Sequence, residues 1–194
     1  MRAVGCIAVA GWLLAGSLAA AVPDGLDARL AAVNAGMSDT IAFREERHSE
    51  LLTTPALFEG TLSYDPESHV IAKRVTTPVA VSMTVDERYV TVDRDGETRR
   101  LKLSRRPELR ALLAGFSGLL RGDTAQLDEH FELAFSDDEA GWRLEMTPRS
   151  RRLAKHVEAL LVHGNGDTVT TLRTRMTNGD WQLMHLGDAQ GDGE

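Results

Sequence analysis

The sequence predicts a mainly β protein with a few helices: an open antiparallel half-barrel of about eleven strands, with a helical lid over its concave apolar face. Three observations carry this. Apolar residues recur at every second position through most of the chain, the period of a strand with one greasy and one wet face. Asp95-Gly96, Asn165-Gly166 and Asn178-Gly179 punctuate the alternation with the positive φ that tight hairpins need. One leucine-rich segment, 107–122, breaks the alternation with helical spacing.

Taken in order, Met1-Arg2 and the apolar run from Ala3 to Leu18 precede Ala19-Ala20-Ala21, so residues 1–21 read as a cleaved signal peptide. The one cysteine, Cys6, falls inside it, which leaves the mature chain without thiol chemistry or a disulfide. Pro23 to Ala35 places Leu26, Leu30 and Val33 on one face of a short helix. Strands are expected near 39–50, 57–64, 69–76, 79–85, 88–93, 98–103, 129–135, 142–147, 154–163, 168–176 and 181–186. Their short connections make neighbours antiparallel, a meander. In the 107–122 helix Leu109, Leu112, Leu113, Phe116, Leu119 and Leu120 share a face, Pro107 sits in the first turn and Gly122 follows the end. Residues 22–186 form a single domain, and 187–194 form a flexible acidic tail.

A long antiparallel sheet with one apolar face must curl to cover it, and two helices are too few to plate it flat. The 107–122 helix is therefore expected across the mouth as a lid. The candidate cavity residues are Leu62, Tyr64, Val81, Met83, Leu101, Leu103, Phe131, Leu133, Phe135, Trp142, Leu144 and Met146. Two readings of this set stand side by side. Either these side chains fill the interior as plain core, or they line a cavity that takes an apolar guest. Periodicity is the same for both.

A net charge of −7 argues against nucleic acid as partner, because such binding draws on cationic contacts with phosphates. No catalytic constellation emerges. Gly115-Phe116-Ser117-Gly118 is one residue short of a nucleophile elbow and lies mid-helix. His48, His69, His130, His156, His163 and His185 have no metal-ligand spacing, and no glycine-rich loop opens a helix. Neither metal nor cofactor is expected, and the chain is not read as an enzyme. Arg99-Arg100, Arg105-Arg106 and Arg149 to Lys155 form basic clusters that suit either a solvated rim or contact with acidic headgroups.

Several stretches together resemble one family. They are Phe43-Arg44-Glu45-Glu46-Arg47, the segment from Pro55 to Tyr64, Leu119-Leu120-Arg121-Gly122-Asp123, the segment from Trp142 to Pro148, and the Gly179-Asp180 turn. This order is similar to that of the LolA-like periplasmic lipoprotein carriers, and the chain looks like a divergent member. The resemblance implies a monomeric periplasmic carrier that shields acyl chains of lipoproteins or related lipids and moves them from inner to outer membrane. It also implies partners: an acylated lipoprotein or other acyl-lipid cargo, inner-membrane release machinery and an outer-membrane acceptor. Relatives of that fold include lipid sensors that signal to a protein partner, the alternative reading. The arginine that locks the lid in those carriers corresponds to Arg47 or Arg74.

Overall fold

In a computed structural model, the structure describes residues 22–36 and 39–187. The leader and the acidic tail from residue 188 on lie outside the described residues. Helix α1 (Leu26–Gly36) is followed by β1 (Thr40–His48), β2 (Ala56–Asp65), β3 (Val70–Thr77), β4 (Val81–Val85), β5 (Tyr89–Arg94) and β6 (Glu97–Lys102). Helices α2 (Pro107–Arg121) and α3 (Thr124–His130) lead to β7 (Phe131–Asp138), β8 (Gly141–Pro148), β9 (Val157–Asn165), β10 (Thr168–Met176) and β11 (Trp181–Leu186). Short 3-10 turns lie at Leu103–Arg105 and Leu153–Lys155.

All eleven strands form one antiparallel sheet, ordered β6-β5-β4-β3-β2-β1-β11-β10-β9-β8-β7. The expected single meander is thus two meanders, fused where β1 pairs with β11 from Phe43↔Leu186 to His48↔Trp181. The strands β6 and β7 follow one another in the chain yet form opposite edges of the sheet. The chain between them must cross the sheet, and α2 lies on that crossing. Helix α2 begins on Pro107 and ends at Gly122, whose φ of 66° lets its backbone N–H bond back to Gly118 and Leu119.

One helix was not expected. Strand alternation read backwards from Phe131 reaches residue 129, but residues 124–130 are helical. The Asp123 carboxylate accepts the Gln126 backbone N–H at 2.9 Å, a capping arrangement spelled by Asp-x-x-Gln.

Gly60 is required by close approach rather than by a turn. It sits at the register shift between β2 and β3, where a Cβ would lie 1.9 Å from the Arg74 carbonyl oxygen. Backbone cannot give way as a side chain does, so Gly60→Ala should lower the unfolding free energy by about 2 kcal/mol or more in urea titrations. Gly96→Asn, at an open hairpin tip with φ 78°, should cost under about 1 kcal/mol.

Candidate functional site

Directly paired residues of an antiparallel sheet point to the same face, so the register defines rows across the concavity. One row runs Tyr64, Ile71, Val85, Val90, Leu101. Another runs Phe58, Glu45, Met184, Leu172, Val162, Leu144, Phe135. These rows carry three apolar clusters.

The first cluster holds Phe131, Trp142, Leu144 and Met146, all fully or almost fully buried, against α1, Ala111, Leu119 and Leu127. Leu112, Leu133 and Phe135 pack at its margin, half-buried. It is dense: a Cβ on Gly115 would meet the Phe131 ring at 2.5 Å, and one on Gly164 would meet the Trp142 ring at 2.3 Å. The second cluster joins Leu62, Tyr64, Met83 and Leu103 to Leu109, Leu113 and Leu120 of α2. Phe116 touches both clusters, so all six leucine and phenylalanine positions singled out in α2 turn toward the sheet. The third cluster, Phe43, Val75 and Met184 with Val81, Phe58, Leu62, Leu172 and Leu186, is built from strand residues alone.

Leu101 corrects its expectation. Its register opposite Val90 puts it on the concave side, but it is 45% exposed because β6 is the edge strand and, among the described residues, no further strand flanks it. The basic run at Arg149 is tied to structure, since its guanidinium donates to the Asp128 and Phe131 carbonyls and pairs with the Asp128 carboxylate.

Helix α2 is held by apolar contacts to the second cluster and by hydrogen bonds to α1 and α3. On the α3 side, Gly118 admits Leu127, Arg121 donates to Gln126, and Gly122 lies close against the Leu30 carbonyl. A cleft of about 190 Å³ lies between α2, the 86–87 turn and the start of α3, lined by Val85, Leu103, Leu113, Ser117, Arg121 and Gln126 among others. The Arg121 Nε is buried there and has no hydrogen-bond partner among the described residues. A second cleft, about 280 Å³, opens at the far end of the concave face beside Arg47, Leu52, Phe58, Met176 and Trp181. Both volumes fall below the roughly 300 Å³ of an ordinary small-molecule pocket.

A charged group at the centre of the apolar face was missed by the sequence reading. Glu45 is 1% exposed. Its carboxylate accepts Arg47 Nε at 3.0 Å and Nη2 at 3.1 Å, and it accepts the Lys73 ammonium. Lys73 stands 4.6 Å from the Phe43 ring centroid, and the Arg47 guanidinium 4.2 Å from that of Phe58. Burial alone would push the Glu45 carboxyl up, but the hydrogen bonds from Arg47 and then the charge and bond of Lys73 hold it below the ordinary 4.5. Lys73 is held below its ordinary 10.5 first by burial, against the pull of Glu45 and with added repulsion from Arg47. The two directions agree physically: the carboxylate faces two cations, whereas the ammonium faces one anion and one cation. The signal lay in β1, whose inward positions 43, 45 and 47 read Phe, Glu, Arg. Of the two lid-locking candidates, Arg74 is exposed on the convex face and Arg47 is engaged by Glu45.

Among the described residues no group of three His, Cys, Asp or Glu side chains could hold a metal, and no helix is long and apolar enough to cross a membrane. The family model described as "Outer membrane lipoprotein carrier protein LolA-like" matches residues 15–193. The chain belongs to this family. Solved structures similar to this LolA-like chain include a LolA superfamily protein from Nitrosomonas europaea, at 10% identity and TM-score 0.42, covering 84% of this chain and 91% of that one. The lipoprotein LppX of Mycobacterium tuberculosis is 9% identical at TM-score 0.43, with 84% and 93% covered. The MucA/MucB complex of Pseudomonas aeruginosa gives 15% and 0.45, with 83% of this chain and 54% of that one covered. No curated protein matches the sequence significantly.

Proposed function

We propose that this LolA-like chain is a periplasmic carrier of acyl chains, of lipoproteins or related lipids, taken up on the concave face when α2 moves away from the second cluster. The observation that carries this is that one amphipathic helix, not a second sheet, closes the second cluster, and that it meets that cluster through apolar contacts while its side-chain hydrogen bonds run to α1 and α3. Raising α2 from Val85 and Leu103 would join the second and third clusters into one continuous apolar surface.

The magnitudes favour a reversible exchange. Burying a chain of about 14 carbons gains roughly 11 kcal/mol at ~0.8 per methylene. Exposing the α2 side chains that cover the face costs about 1.5–3 kcal/mol each, of order 10 kcal/mol together. A guest that replaces the helix therefore gains little net, which is what release requires. Three fully buried chains would pass the practical ceiling of roughly 18–21 kcal/mol for non-covalent binding, so several chains would be partly covered.

The test is transfer of a fluorescent triacylated lipopeptide from donor to acceptor vesicles. The carrier reading expects transfer about tenfold faster than without protein. Binding without transfer, coupled to altered affinity for a protein partner, would give the chain to the sensor reading. Absence of binding would remove both.

A further inference from the structure

Three charges taken out of water stabilise a fold no better than apolar side chains of the same shape, so the buried group on β1 and β3 invites a functional account. One cation would satisfy Glu45; the structure supplies two. The ionised group Arg47–Glu45–Lys73 therefore carries a surplus positive charge inside a largely apolar concavity. The surplus is also unspent in hydrogen bonds. A guanidinium has five N–H donors and an ammonium three. Among the described residues, Glu45 engages Nε and one N–H on Nη2 of Arg47 and one donor of Lys73.

The two cations differ in reach. The Lys73 side chain is 12% exposed, while that of Arg47 is 38% exposed and lines the 280 Å³ cleft. The same guanidinium thus touches the buried carboxylate on one side and open space on the other. Its neighbours in the cleft are mixed: Phe58, Met176 and Leu52 are apolar, Ser49, His48 and Gln182 are polar, with Gln182 paired opposite Arg47, and Asp180 stands on the wall formed by the β10–β11 turn. That aspartate is already occupied: it accepts the Glu50 backbone N–H at 3.2 Å and Asn178 Nδ2 at 3.0 Å. Phe58 holds the guanidinium plane at 4.2 Å, so the free N–H groups are fixed rather than floppy.

Resting on the carrier reading above, we propose that Arg47, backed by Glu45 and Lys73, is the head-group site of this face, and that it selects acyl lipids with an anionic head, a carboxylate or a phosphate, over neutral ones. The head bonds to Arg47 in the cleft. The tail runs inward along the row that continues from Phe58 past Met184 and Leu172. Glu45 serves as a positioning residue that holds the planar fork of Arg47 against Phe58.

The test compares a fluorescent polyene fatty acid with its methyl ester, equal in chain and different only in head charge, on the full mature chain at pH 7. The acid should bind about tenfold more tightly, the scale of a charge-assisted bond. Arg47→Gln should bring the acid to within about twofold of the ester in the same variant. A lysophosphatidic acid should follow the fatty acid in both proteins. Equal binding of acid and ester by the wild type would overturn the head-group assignment while leaving the carrier reading standing. Binding of neither would remove the carrier reading itself. A loss of ester and acid together in Arg47→Gln would reduce Arg47 to a structural role and also overturn the proposal. Competition by inorganic phosphate as strong as that by lysophosphatidic acid would assign the site to a free anion and overturn the lipid selectivity.

Discussion

Glu45→Leu should lower the unfolding free energy at pH 7 by about 3–5 kcal/mol, more than any single change at the apolar rim. The variant leaves the Lys73 ammonium, 12% exposed, beside Arg47 with no carboxylate between them. Arg47, at 38% exposure, finds water, so the loss should fall toward the lower end of that range. Replacing all three together, as Glu45→Leu, Arg47→Leu and Lys73→Met, should restore most of the stability, because an apolar group of similar volume fits that face. Urea titration of the single and triple variants decides it; a triple variant no more stable than the single one would contradict the account. The pH dependence follows in sign. The Glu45 carboxyl lies below 4.5 when folded, so its stabilisation is complete above about 4.5 and is lost as pH falls through the folded value. Lys73 acts oppositely: its ammonium is disfavoured by folding, a penalty at neutral pH that fades as pH climbs toward 10.5. The wild-type advantage over Glu45→Leu should therefore shrink in acid.

The second large effect concerns α2. Leu113→Cys and Val85→Cys, joined by a reducible bifunctional thiol reagent, should abolish lipid uptake, and reduction should restore it. These positions meet in the second cluster, on the side where the cleft lies. A control tether between Arg121→Cys and Gln126→Cys, which joins α2 to α3 and not to the sheet, should leave uptake within about twofold of wild type. Unchanged uptake with the Leu113–Val85 tether closed would sink the moving-helix mechanism, since the face would then fill by another path.

What could be read in advance, and what could not, has a common cause. Period-two alternation names the face a residue occupies, and the strands and the inward stripe of α2 are legible on that basis. It does not name depth. Leu101 sits on the concave side and is still wet, because edge position is a property of the whole sheet. Trp142 and Phe131 lie where a cavity was envisaged but are packed solid, because Gly164 and Gly115 remove the Cβ atoms that would have held them apart. The charges of β1 were similarly opaque. Glu45 and Glu46 look like an acidic pair, yet only the pairing of β2 with β1 on one side and with β3 on the other brings Lys73 to Glu45. Separation of β6 from β7 was hidden as well, since the helical stretch between them is compatible with a return to the same edge or a crossing to the other.

The pairing of β1 with β11 places the first and last strands side by side in the middle of the sheet. As the polypeptide emerges, its six leading strands can assemble hairpin by hairpin, but the flank of β1 stays bare until residue 181 and its successors arrive. Such late closure slows acquisition of the native state and leaves a sticky border available to strangers. Premature termination anywhere before β11 would therefore yield, not a shortened working molecule, but a half-sheet prone to self-association.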